Sequence, residues 1–136
     1  DLVRIMYTNV MEFADLKAYG AAIDNIHVYD GVGFAAIPFD CPDALVAIIS
    51  DFILSLDVVT VAVVYAVRLD GIKFSVRSER KDVDAGSLVK SALKDIGSGG
   101  GHKEMAGGFI VNTQAALFGE DMGYQIETRF MRQINK

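Results

Sequence analysis

The chain has 136 residues, of which 51% are hydrophobic and 23% charged, and a formal net charge of −5. That is enough apolar chain for a single domain with its own core and excludes a disordered segment. The acidic balance speaks against a broad duplex-binding surface, which needs clustered Lys and Arg, yet leaves room for a small pocket that holds a few phosphates.

In chain order, residues 1–7 read as a linker tail, and a helix is expected from about Asn9 to Ala22. Ile26–Tyr29 and Gly33–Pro38 alternate as strands around Asp30-Gly31. Asp-Gly between alternating runs predicts a two-residue hairpin, because both turn residues take positive φ. His27 sits on this first strand and reads as a partly exposed strand residue. Asp40-Cys41-Pro42-Asp43 starts a second helix, whose apolar stripe runs through Leu45, Ile49, Phe52 and Leu56. Residues 46–67 form the sole membrane-span candidate, but Asp51 and Asp57 interrupt it and its period changes part-way, so it is core.

Val58–Leu69 is apolar on both faces, as an interior strand is. A turn at Asp70-Gly71 returns the chain as Ile72–Arg77. With that turn Val67 faces Phe74 and Tyr65 faces Val76, while Arg68–Lys73, Ala66–Ser75 and Val64–Arg77 make the opposite face. The second face carries small residues, a hydroxyl and cations, the lining of a groove. Asp84 caps a third helix with a stripe from Ala85 to Ile96, and Gly97 stops it. Gly108–Val111 is a short strand, and a final helix spans roughly Gly119 to Gln133. The expected architecture is α/β, a mixed sheet of about five strands with two hairpins, covered by helices. Cys41 is the sole cysteine, which rules out an internal disulfide and favours a buried filler in a cytoplasmic protein.

Six of the 13 glycines lie between Gly97 and Gly108, around His102. A loop so rich in glycine presents backbone N–H groups to an anion, and a histidine beside it adds a further donor. The Walker and dinucleotide patterns both fail on spacing, and here a helix precedes the loop and a strand follows it. Gly99-Gly100-Gly101-His102, followed by Lys103, Ala106 and Gly107, resembles the signature of the DHH-associated domain of the first type. This is the C-terminal, substrate-binding domain of DHH phosphoesterases such as RecJ nucleases and the NrnA nanoRNases.

The resemblance implies that residues 1–136 are one such domain, excised from a longer phosphoesterase. Its ligand would be a short oligonucleotide, single-stranded nucleic acid or a small phosphorylated nucleotide. Arg77, Ser78, Gly99, Gly100, Gly101, His102 and Lys103 would hold the phosphate. Catalysis would belong to an N-terminal DHH domain with manganese, so this chain alone carries no catalytic residue, metal ligand or cofactor and turns nothing over. Met105 and the Gly97-Ser98 opening depart from the family pattern. The first residue is Asp1 and no charged-then-apolar leader follows it, which fits an excised domain without a signal peptide. A membrane partner is not expected, and a homodimer stays open. Two other readings compete: an RNA-binding module of the kind appended to alanyl-tRNA synthetases, and an inert scaffold whose glycine loop is a turn.

Overall fold

The computed structural model describes residues 12–136. The readings made for residues 1–7, and for the start of the first helix at Asn9, lie outside this range.

The described chain folds into six strands in the order β1-β2-β3-β4-β6-β5 with helices on both faces. Helix α1 (Phe13–Asp24) leads to β1 (His27–Tyr29) and β2 (Val32–Ile37). Between these strands Asp30 and Gly31 have φ of 49° and 82°, the two left-handed turn residues that the sequence predicts. Helix α2 (Asp43–Leu54) then crosses to β3 (Val61–Val67), which pairs parallel to β2. Strand β4 (Gly71–Ser78) follows β3 antiparallel, α3 (Ala85–Ala92) crosses over, and β5 (Ser98–Gly101) and β6 (Met105–Val111) close the order. A short helix α4 (Asn112–Ala115) and a 3-10 turn (Ala116–Asp121) lead into α5 (Met122–Ile134).

The alternation of β3 decides the layering. Val61, Val63 and Tyr65 join Phe74, Ile110, Leu88 and Phe130 in a core under α3 and α5. Ala62, Val64 and Ala66 face the other way, into a core with Ala18, Cys41, Ile49 and Ile53 from the α1 and α2 side. Every residue of β3 except Val67 is buried, as a strand covered on both faces must be.

Beyond shifts of about three residues at element ends, such as β3 starting at Val61 rather than Val58 and the final helix at Met122 rather than Gly119, three features differ from the sequence reading. The β3–β4 loop is Leu69-Asp70, closed by mutual hydrogen bonds between Arg68 and Gly71, so Val67 pairs with Ile72 and Tyr65 with Phe74. The register is two residues away from the expected one, which preserves both faces. Gly71 cannot sit at the tip because it lies against β6, where a Cβ would come 2.1 Å from the carbonyl oxygen of Ile110. Helix α3 ends at Ala92, with Asp95 left-handed at φ 72°, rather than running to Ile96. The glycine tract, finally, is a hairpin rather than a loop: Ser98–Gly101 form β5, a strand beyond the five expected, and Gly107 and Gly108 lie on β6, which begins at Met105 rather than Gly108.

Candidate functional site

Strand β4 sends Lys73, Ser75 and Arg77 toward α2, on the face that its alternation predicts. Arg77 is 7% exposed and held on three sides. Its Nε donates to Asp51 Oδ1 of α2 at 2.7 Å, and its Nη1 donates to Ser75 Oγ at 2.9 Å and to the Val76 carbonyl at 3.1 Å. Ser75 in turn lies 2.9 Å from Ser50 Oγ, which donates to the Ala47 carbonyl at 2.6 Å. Because each hydroxyl has one proton, the chain runs one way, from Arg77 through Ser75 and Ser50 to Ala47. Nη2 has no partner among the described residues and is not buried. A guanidinium fixed in this way, with one donor nitrogen spare, is ready for an anion.

The hairpin between β5 and β6 brings the glycine tract beside this arginine. His102, Lys103 and Glu104 form its turn, with the His102 N–H donating to the Met105 carbonyl at 2.9 Å. The turn is anchored twice more. The first amides of α3, those of Ala85 and Gly86, donate to the carbonyls of Lys103 and His102, and the Ser78 N–H donates to the Glu104 carbonyl. The helix N-terminus is therefore spent on the protein's own carbonyls, while the His102 and Lys103 side chains stay exposed.

The glycines divide by face. Gly99 and Gly108 pair across the hairpin under α3, where added Cβ atoms would press on Val89 at 3.1 and 2.8 Å. Gly101 has φ 154°, and its Cβ would meet Ala106 Cα at 2.6 Å. These three serve packing and backbone geometry. Gly100 and Gly107 pair on the opposite face, where a Cβ on Gly100 would meet nothing within 4 Å. Packing does not demand glycine at position 100, and what its absent side chain leaves is open floor.

Two grooves meet at Arg77. One, of about 400 Å³, runs between α2 and the hairpin over Lys73, Gly100, Gly107 and His102, with Asp43 on its rim. The other, of about 780 Å³, lies over the 78–84 connection, with Arg80, Lys81, Lys103 and Glu104 along it. Arg77 and Met105 line both. Of the seven residues the sequence proposes, Arg77, Gly100, Gly101 and His102 share the first groove, and Ser78 and Lys103 share the second with Arg77. Gly99 lines neither, and Ser78 is 3% exposed, its hydroxyl donating to the Val83 carbonyl at 2.7 Å. Arg80 is paired with Asp82, whose carboxyl this contact holds below the usual range.

Sequence reading missed Asp51, Ser50 and Asp43 as members of the site. The available signal was Ser50-Asp51, polar neighbours within the apolar run of α2.

The donor set does not fit a manganese site. Among the described residues no three His, Cys, Asp or Glu side chains converge, and His27 lies with Glu127 away from both grooves. No helix of the described residues is long and apolar enough to cross a membrane.

The profile of the DHHA1 domain matches residues 30–121, more than half of the chain, so the chain belongs to the DHHA1 domain family. Solved structures share the fold at low identity. An exopolyphosphatase-related protein from Bacteroides fragilis aligns over 99% of this chain at TM-score 0.70 and 18% identity, and the match covers 40% of that protein. RecJ from Thermus thermophilus, in complex with Mg2+, aligns over 87% of this chain at 0.59 and 20% identity, covering 17% of RecJ. The C-Ala domain of Aquifex aeolicus alanyl-tRNA synthetase aligns over 81% at 0.59 and 14% identity, covering 96% of that domain. No curated protein matches the chain.

Proposed function

We propose that this chain is the substrate-binding domain of a DHH phosphoesterase that acts on short oligonucleotides, single-stranded nucleic acid or small phosphorylated nucleotides. The observation that carries the reading is Arg77, buried and fixed, with Nη2 open where two grooves meet. A substrate phosphate takes Nη2 and competes with Asp51 for the Nε side of the guanidinium. Exposed His102 and Lys103 supply further donors, and the bare backbone at Gly100 lets the ligand come close. These residues bind and orient, and they offset charge on the phosphate. The bond-breaking chemistry, and the manganese expected with it, belong to a separate DHH domain of a longer chain working in the cytoplasm.

Calorimetric titration of a 5′-phosphorylated dinucleotide tests this. Binding that Arg77→Ala reduces by about a hundredfold, the loss expected when a charged hydrogen-bonding partner is removed, supports the site. His102→Ala, which removes an exposed donor, is expected to cost about tenfold. Equal binding by wild type and Arg77→Ala would refute it. The near-complete coverage of the C-Ala domain favours a second reading, an RNA-binding module without a hydrolytic partner. That module would bind longer RNA with a steep salt dependence, whereas the two-groove site gives a shallow one.

A further inference from the structure

Glycine at position 123 has no explanation in the fold. It sits in the first turn of α5 without positive φ, where glycine is a weaker helix former than alanine. A Cβ there would meet only the hydroxyl oxygen of Tyr65, at 3.6 Å, an ordinary contact. The missing methyl instead leaves space in front of that hydroxyl. Tyr65 is 4% exposed, and its hydroxyl has no hydrogen-bond partner among the described residues, though it reaches the adjoining cavity. The cavity, of about 270 Å³, lies between β3 and the start of α5. Glu127, one helical turn beyond Gly123, brings its carboxylate to the same wall, 16% exposed and 3.2 Å from His27 Nδ1.

We propose that this cavity is a binding site for a guanine base. The apolar walls, Phe34, Val67 and Met122, suit a flat ring, and the polar groups specify its edge. Burial first, and Glu127 second, push the Tyr65 hydroxyl up to about 12, so at neutral pH it is protonated and able to donate. The carboxylate of Glu127 only accepts. The complementary ligand therefore brings N–H donors side by side next to a carbonyl oxygen. Guanine does this along its pairing edge, with two neighbouring donors for Glu127 and O6 for Tyr65. Adenine and cytosine bring one amino group beside a bare ring nitrogen, and uracil a single N–H. The site is on the opposite face of the sheet from Arg77, so it stands whether or not the Arg77 grooves take phosphate.

The test is titration of the 136-residue chain with guanosine and with adenosine. Guanosine is expected to bind at least about tenfold tighter, as pairing of otherwise unmatched polar groups requires. Tyr65→Phe and Glu127→Gln are each expected to weaken guanosine binding about tenfold or more. Gly123→Ala fills the space before the hydroxyl and abolishes binding, while the thermal midpoint holds or rises. No saturable guanosine binding at millimolar ligand, equal binding of adenosine, or undiminished binding by Gly123→Ala would each overturn the proposal.

Discussion

Arg77 sits where most arginines do not, beneath a helix and almost out of solvent, and the burial is tolerable because two of the three guanidinium nitrogens are matched and the third, Nη2, reaches the groove surface. Desolvating a guanidinium is costly unless it is paired, and Asp51 with Ser75 supplies the pairing. Ser75 is then a positioning residue: it fixes the plane of the guanidinium that presents Nη2. Ser75→Ala leaves Nη1 with only the Val76 carbonyl and takes one partner from Ser50. Urea denaturation should show a loss of about 1–2 kcal/mol, and phosphate-ligand affinity should fall severalfold in parallel. Ser75→Thr keeps the hydroxyl and should restore binding, which a merely structural role would not ensure. Arg77 was legible because strand alternation alone places it on the polar face of β4. Asp51 was not, since an exposed aspartate on a helix shows nothing in sequence of the arginine that reaches it from another strand.

At the scale of elements, the β1–β2 hairpin was readable from its own local chemistry. Asp30-Gly31 behaves as its turn preference dictates, and the β3 run of Val and Ala announces a strand buried on both sides. The glycine tract was misread for a physical reason: glycine has little strand propensity of its own, so nothing local marks Ser98–Gly101 as extended. Its extension is imposed by pairing with β6 and by α3 pressing close. Gly86 of α3 completes that approach, since a Cβ on it would fall 2.7 Å from the Gly101 carbonyl oxygen. The β3–β4 register was likewise hidden, because the contact that excludes Gly71 from the turn comes from β6. If tertiary pairing shapes this tract, Gly101→Ala must disturb it twice, through φ 154° and through the clash with Ala106. The expected cost is about 2–3 kcal/mol, read by urea denaturation. Gly100→Ala, with nothing within 4 Å, should be nearly neutral for stability and should instead weaken ligand binding. A reversal of that order would show that the two faces of the hairpin have been assigned the wrong way round.

Across the whole molecule, one sheet divides two cores and belongs to both. Val63 and Tyr65 close the α3 and α5 side, while Ala62, Val64 and Ala66 close the α1 and α2 side, so neither core survives if β3 leaves. That coupling also fixes the two proposed sites relative to each other, one on each face, with the rigid sheet between them. It predicts a single cooperative unfolding transition. Cys41 offers a probe of one side. It is 3% exposed in the α1 and α2 core, and burial, ahead of a contribution from Asp15, pushes its thiol up to about 11. A thiol reagent at pH 8 should therefore react slowly with the native chain and at the rate of a free cysteine once that core opens, because only the thiolate attacks. In a Tyr19→Phe chain, which removes the tyrosine packed on that same core, the near-ultraviolet circular dichroism of buried Tyr65 reports on the other side. If β3 is the shared wall, urea midpoints from thiol labelling and from the aromatic signal coincide. Labelling that completes at lower urea, with the aromatic signal intact, would mean that the α1 and α2 layer opens alone. Arg77, held by Asp51 of α2 directly and by Ser50 of α2 only through Ser75, would then lose its orientation while the rest of the sheet stayed folded.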